Sequence, residues 1–123
     1  MPRNRRGWSI NNAGNDLSTH TPLRLALLEP ILLVLIKQRP RHGYSLLSDL
    51  EAYNLTTVHP GVVYRTLRDL EDLGWITSQW DADETQGPPR RKYNLTPQGE
   101  TALGNWQTEM QEIQHLISDL LKQ

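Results

Sequence analysis

His59-Pro60-Gly61-Val62-Val63-Tyr64-Arg65-Thr66-Leu67-Arg68-Asp69-Leu70-Glu71-Asp72-Leu73-Gly74 is the stretch on which the fold turns. Proline suits the first position of a helix, where its missing N–H has no partner to lose, and glycine ends helices because it enters the left-handed backbone region without strain. Between them Val63, Leu67, Leu70 and Leu73 recur at steps of four, three and three, the signature of an amphipathic helix with one apolar face. With those four inward, a step of about 100° per residue leaves Val62, Arg65, Thr66 and Asp69 outward and puts Tyr64 and Arg68 at the margins.

Downstream, residues 75 to 80 are rich in aromatic and β-branched side chains, and residues 91 to 95 alternate Arg91, Tyr93 and Leu95 with Lys92 and Asn94, so two strands are expected. The residues between them hold Gly87, Pro88 and Pro89, which makes a hairpin with a long tip rather than a tight turn. Upstream, Thr21-Pro22 is a helix start, and Pro30 lies inside the apolar run from Leu23 to Ile36, where it should kink the helix or begin a second segment. A firm helix is expected over residues 30 to 38, then a short one from 43 to 53 that buries Tyr44, Leu47 and Leu50, then a turn over 54 to 59.

Thr96-Pro97 begins the last helix, which should run to about Leu121, roughly 37 Å at about 1.5 Å per residue. That is longer than so small a core is wide. Its apolar positions Leu103, Trp106, Met110, Ile113, Ile117 and Leu120 are spaced three, four, three, four, three, a heptad seam that needs a partner helix. A second copy of the chain in a twofold homodimer is the economical partner.

The remaining properties set bounds. A chain of 123 residues fits one domain with appendages. Its net charge of -1 gives no global basicity, so any case for nucleic acid rests on how charge is distributed. Zero cysteines remove disulfides, thiolate metal sites and cysteine nucleophiles, and favour the cytoplasm. The longest apolar run, residues 31 to 36, is far short of the ~20 residues that span a bilayer, so no membrane association is expected. Residues 1 to 20 carry Arg3, Arg5 and Arg6 among Gly, Asn and Ser and read as a flexible basic arm, either a minor-groove arm or plain disorder. Three units follow: the arm at 1–20, a domain at 21–96 and a helix at 97–123.

Three short helices and a two-stranded hairpin describe a winged helix-turn-helix, mainly α with a small β-hairpin, an α+β fold whose third helix enters the major groove while the hairpin touches the flanking backbone. The residue content is more specific. Pro40-Arg41-His42-Gly43-Tyr44, Pro60-Gly61 with Tyr64 and Leu67, Leu70-Glu71 with Leu73-Gly74 and Ile76, and Arg90-Arg91-Lys92-Tyr93 leading to Leu95-Thr96 and Gly99 resemble the PadR family of bacterial transcriptional regulators over about residues 28 to 103. The resemblance implies a dimer that binds palindromic promoter DNA, usually as a repressor, with the C-terminal helix as the dimer contact. His59 stands where the family often has a serine, and Val62-Val63 is more apolar than usual.

On that reading Arg65 is the first candidate for base contact, since an arginine donates two bonds to guanine; Thr66 can bond a base or phosphate and Val62 can touch a thymine methyl. Tyr64 and Arg68 flank them. An ordinary solvated helix face is the alternative, favoured by Asp69 and Asp72. Arg90, Arg91 and Lys92 would track phosphates beside the hairpin tip, with Arg91 near the core and Arg90 and Lys92 pointing together toward DNA. Arg41, with Lys37 and Arg39, is a weaker patch at a helix end. The last helix holds four acids, Glu100, Glu109, Glu112 and Asp119, against Lys122, and so faces away from DNA.

Some relatives in the resembling family hold flat aromatic compounds between tryptophans of their terminal helices, which makes Trp106 and Met110 a candidate pocket for a small planar aromatic effector, with core or dimer packing as the alternative use of the tryptophans. His20, His42, His59 and His115 lack close metal-ligand spacing, and neither a phosphate-cradling glycine loop nor a Gly-x-Ser-x-Gly elbow occurs, so an enzyme, a cofactor and a metal are not expected. His42 reads as a cap or packing residue. The rival to double-stranded DNA as partner is a protein: a winged-helix scaffold that dimerises and recruits it, which Asp69, Glu71 and Asp72 would suit and the basic hairpin would not.

Overall fold

The computed structural model describes residues 22–55, 58–81 and 90–123. The basic arm, the Thr21 cap and the hairpin tip lie outside these residues. Helix α1 (Pro22–Leu25) leads directly into α2 (Leu28–Gln38). The second helix starts two residues before Pro30, which therefore occupies its first turn. A first-turn amide has no partner within the helix, so the proline neither kinks α2 nor begins it.

After α2 the chain forms a two-residue strand, β1 (Arg41–His42), that two-strand reasoning had not anticipated. It pairs with the hairpin strands β2 (Ile76–Asp81) and β3 (Arg90–Leu95) in an antiparallel sheet of order β1-β3-β2. Between Pro40 and Gly43 so short a strand leaves no periodicity to read. Helix α3 (Gly43–Asp49) and a 3-10 turn (Leu50–Tyr53) follow, ended by Asn54 in left-handed backbone at φ 61°. Their buried line is Gly43, Leu46 and Leu50, with Leu47 half-buried. Tyr44, expected inside, is 52% exposed.

The deciding stretch forms helix α4 (Pro60–Asp72), with Val63, Leu67 and Leu70 buried. His59 replaces a serine cap chemically, its Nδ1 accepting a hydrogen bond from the Gly61 amide at 2.9 Å. Leu73 does not join the inner line. The helix ends at Asp72, Gly74 reverses the chain at φ 81°, and Leu73 is left 55% exposed.

The last helix, α5 (Pro97–Leu121), begins at the Thr96 cap. Thr96 works twice: its hydroxyl accepts from the Gly99 amide at 2.9 Å and donates to the Gly74 carbonyl at 2.6 Å, tying the helix start to the turn after α4. The core runs through all these elements, from Leu32, Leu33 and Ile36 through Leu46, Val63, Leu67 and Leu70 to Ile76, Tyr93 and Leu103. Leu103, expected on a dimer seam, is 2% exposed and belongs to this core, because α5 crosses α2 at that point. Farther along, Met110 is half-buried, while Ile113, Ile117 and Leu120 are exposed on one side of the projecting helix.

Candidate nucleic-acid interface

Helix α4 is buried on more than one side, and this sorts its outer residues. Arg65 and Arg68 are exposed, and Tyr64 is 40% exposed at the margin. Val62 and Thr66 are half-buried and line a cleft of about 330 Å³ together with Glu29, Asp69 and Trp106. The Thr66 hydroxyl donates to the Val62 carbonyl at 2.8 Å, so it is engaged within its own helix. The helical step was right, but the start of α2 and Trp106 of α5 wrap a flank that sequence periodicity leaves open.

Tyr64 is seated by glycine. A Cβ on Gly43 would come within 2.6 Å of Tyr64 Cε1, so the ring lies directly over the start of α3. Tyr44, turned out of the core, meets the sheet instead: the Arg90 guanidinium stacks 4.9 Å from its ring centroid and donates to its hydroxyl. Arg90 therefore lies against α3, half-buried.

Arg91 follows the opposite face of β3, as strand alternation requires. That face also carries buried Tyr93 and looks onto α4. Arg91 is nonetheless exposed, because it sits beyond the end of the helix's buried line and stacks 4.6 Å from the Trp80 ring opposite it in register. The expected division, with Arg91 inward and Arg90 and Lys92 outward, is thus reversed: Arg90 and Lys92 are half-buried, and Lys92 stands between His42 and Gln79. On that same face His42 Nε2 lies 3.0 Å from Asp81 Oδ2, joining β1 to the hairpin across the sheet. His42 holds the N-cap position of α3 without capping it.

Arg41, expected in a basic patch at a helix end, is turned into the domain. Only 7% exposed, it pairs with Asp49 of α3 and donates to Gln38 Oε1 at 3.2 Å, so its charge is used inside the domain. Lys37 lies 3.8 Å from Glu100 in an exposed pair. Burial raises the pKa of Tyr93 above its ordinary 10.0, with Arg91 acting in the opposite direction, so the phenol stays neutral through the physiological range.

Trp106, half-buried, donates its indole N–H to Glu29 Oε1 at 3.1 Å and joins α5 to α2. It lines the cleft beside Val62 and a second cleft of about 320 Å³ with Trp75, Gln98 and Glu109; Met110 lines neither. Around α4 the sequence reading misses Ser78, whose hydroxyl joins Glu71 to Arg91, and the outward turn of Tyr44, and takes Trp80 only as one of several indoles able to stack a planar effector. Tyr44 sat in an apparently apolar spacing, and the other two become meaningful only once the register of the hairpin is known.

A three-helix unit with a β-wing packed beside an exposed arginine-bearing helix defines a winged helix-turn-helix protein. The PadR transcriptional regulator model matches residues 31–105, and the chain belongs to the PadR-like family of transcriptional regulators, which are not enzymes. The structure of a PadR family transcriptional regulator from Eggerthella lenta superposes with a TM-score of 0.72 at 25% identity, over 80% of this chain and 85% of that one. A PadR-like transcription factor from Bacteroides fragilis gives 0.67 at 28% identity, over 80% and 93% of the two chains. For a PadR-like regulator of Bacillus cereus the values are 0.74 and 24%, over 84% and 99%, a likeness of fold. No curated protein matches the sequence. No helix among the described residues is long and apolar enough to cross a membrane.

Proposed function

We propose that this chain is a cytoplasmic, homodimeric repressor that reads an inverted repeat in promoter DNA. The observation that carries the reading is the exposed set Tyr64, Arg65 and Arg68 on α4, flanked by Arg90 and Arg91 at the tip end of the wing strands. Two such helices in a twofold dimer would enter successive major grooves about 34 Å apart. Arg65 is the base reader, suited to a guanine edge, and Arg68 and the wing arginines neutralise phosphates. Exposed Ile113, Ile117 and Leu120, with half-buried Met110, form the dimer seam on α5. A planar aromatic effector would bind beside Trp106, where the two clefts flank the indole, and would act by changing the angle between the DNA-binding heads.

Fluorescence anisotropy with DNA from upstream of the chain's own gene and a shuffled control, at two salt concentrations, tests the reading. Tighter, salt-sensitive binding to the native fragment is expected. Arg65→Ala should retain salt-sensitive binding but lose the preference; unchanged discrimination would remove Arg65 as base reader. Absence of duplex binding even at low salt would replace the repressor with a protein-recruiting scaffold.

A further inference from the structure

The first turn of α4, residues 60 to 63, meets all its amides in one residue. Pro60 has no N–H to offer, the amides of Val62 and Val63 bond to the His59 carbonyl at 2.9 and 3.4 Å, and the Gly61 amide bonds to the His59 ring at 2.9 Å. His59 precedes a proline, which holds its backbone extended at φ -60° and ψ 132°, the conformation from which a capping side chain folds back over the turn. Gly61 leaves room for the ring, since a Cβ there would come within 3.1 Å of His59 Nδ1.

This bond has a chemical condition. An amide only donates, so Nδ1 must hold a free lone pair, and the neutral ring carries its hydrogen on Nε2. A protonated imidazole has a donor at both nitrogens. Nδ1–H then opposes the Gly61 N–H, the cap is lost, and a positive charge stands at the helix end where the macrodipole is already positive. The surroundings do not offset this: the first turn holds no acid, and the first charged side chain of α4 is another cation, Arg65. Among the described residues the exposed His59 side chain has no ion pair and no hydrogen-bond partner but Gly61. A serine in the same place caps through a hydroxyl oxygen, which accepts in mild acid as it does at neutral pH.

We propose that His59 is a positioning residue for the DNA-reading helix and holds the helix start only while its ring is neutral, so that discrimination between DNA sequences is lost in mild acid. The inference rests on the DNA-binding reading above. Arg65 lies less than two turns beyond the cap, and a first turn that frays removes the platform from which it reaches a base. The sign follows from the two states of the ring. The cap contributes while His59 is neutral and is lost as pH falls, whereas the charge that replaces it attracts every duplex alike. Acid therefore lowers the preference between sequences rather than the affinity for DNA as such. His42 acts in the opposite direction, because protonation strengthens its contact with Asp81 Oδ2 at 3.0 Å.

The test uses the full-length protein, labelled with nitrogen-15, together with the upstream duplex and its shuffled control, from pH 8.0 to 5.5 at constant ionic strength. Ring nitrogen shifts should show His59 in its Nε2–H form at pH 8.0, and the Gly61 amide proton should move upfield as the ring takes up its proton. An Nδ1–H ring, or a Gly61 amide that stays in place while His59 titrates, overturns the cap whatever happens with DNA. Wild type should lose roughly 5-fold of its preference for the upstream duplex across this range, the scale of one helix cap. His59→Ser should hold its preference throughout. That variant retains His42 and His115, so its difference from wild type belongs to residue 59. His59→Ala should discriminate poorly already at pH 8.0 and change little in acid. Equal losses in wild type and His59→Ser would remove the proton-sensitive role while the DNA-binding reading stands. If wild type prefers neither duplex at any pH, both readings fall.

Discussion

Arg41 and Arg91 carry the same charge and lie on strands of one sheet, yet one is sealed against Asp49 while the other is exposed over Trp80. Sequence shows both as basic residues near turns, and the difference comes from which neighbour the sheet register supplies. Arg65 was legible because helical periodicity alone puts it opposite Val63, Leu67 and Leu70. Val62 and Thr66 were not, since the contacts that cover them come from α2 and Trp106, distant in sequence. Tyr93 gives a measurable consequence of burial at this scale. Its raised pKa means that the folded state holds the phenol proton more tightly than the unfolded state does. The associated stability is fully present below pH 10.0, its ordinary pKa, and is lost as pH rises toward and through the raised value. Urea denaturation from pH 9 to 12 should therefore show a shallower alkaline loss of stability in Tyr93→Phe than in wild type; equal slopes would contradict it.

Helix starts were the most readable elements, because proline and a capping side chain act locally. Pro60 and Pro97 both stand at N1 as expected, with His59 and Thr96 accepting from amides two and three residues on. Strand β1 and the end of α4 were less readable, since a two-residue strand exists only by virtue of its partner and Leu73 continues the apolar spacing past the last helical residue. The start of α5 packs closely against Trp75 and the end of the wing. A Cβ on Gly99 would collide with the Trp75 carbonyl oxygen and lie 2.7 Å from Leu95 Cδ1. Alanine is favoured over glycine within helices by about 1 kcal/mol, but a backbone carbonyl cannot rotate aside as a side chain can. The clash should win, and Gly99→Ala should lose about 1–3 kcal/mol in urea denaturation. A neutral or stabilising result would show that α5 slides freely on the turn.

For the whole molecule, the sequence made the length and apolar spacing of α5 plain but could not say where the domain ends and the projecting helix begins. Leu103 has the heptad spacing of Met110 and Ile117, yet α2 covers it within the same chain. Buried positions of α5 stop at Leu103, so truncation before Met110 removes no core side chain. The shortened protein should keep its circular dichroism signature per helical residue, sediment as a monomer and bind operator DNA roughly 100-fold more weakly, through loss of the second head. A stable dimer in sedimentation would overturn the seam.

The same geometry gives the Trp106–Glu29 hydrogen bond an importance beyond its own strength. It lies near the last buried turn of α5, and the helix continues roughly 27 Å past Leu103 at a rise of about 1.5 Å per residue. The joint is thus a fulcrum with a long arm. A tilt of about 10° there moves the far end by roughly 5 Å, nearly one helical pitch. An angular change small enough for one indole N–H to follow is therefore magnified, at the far end of the arm, into a displacement of nearly one helical turn.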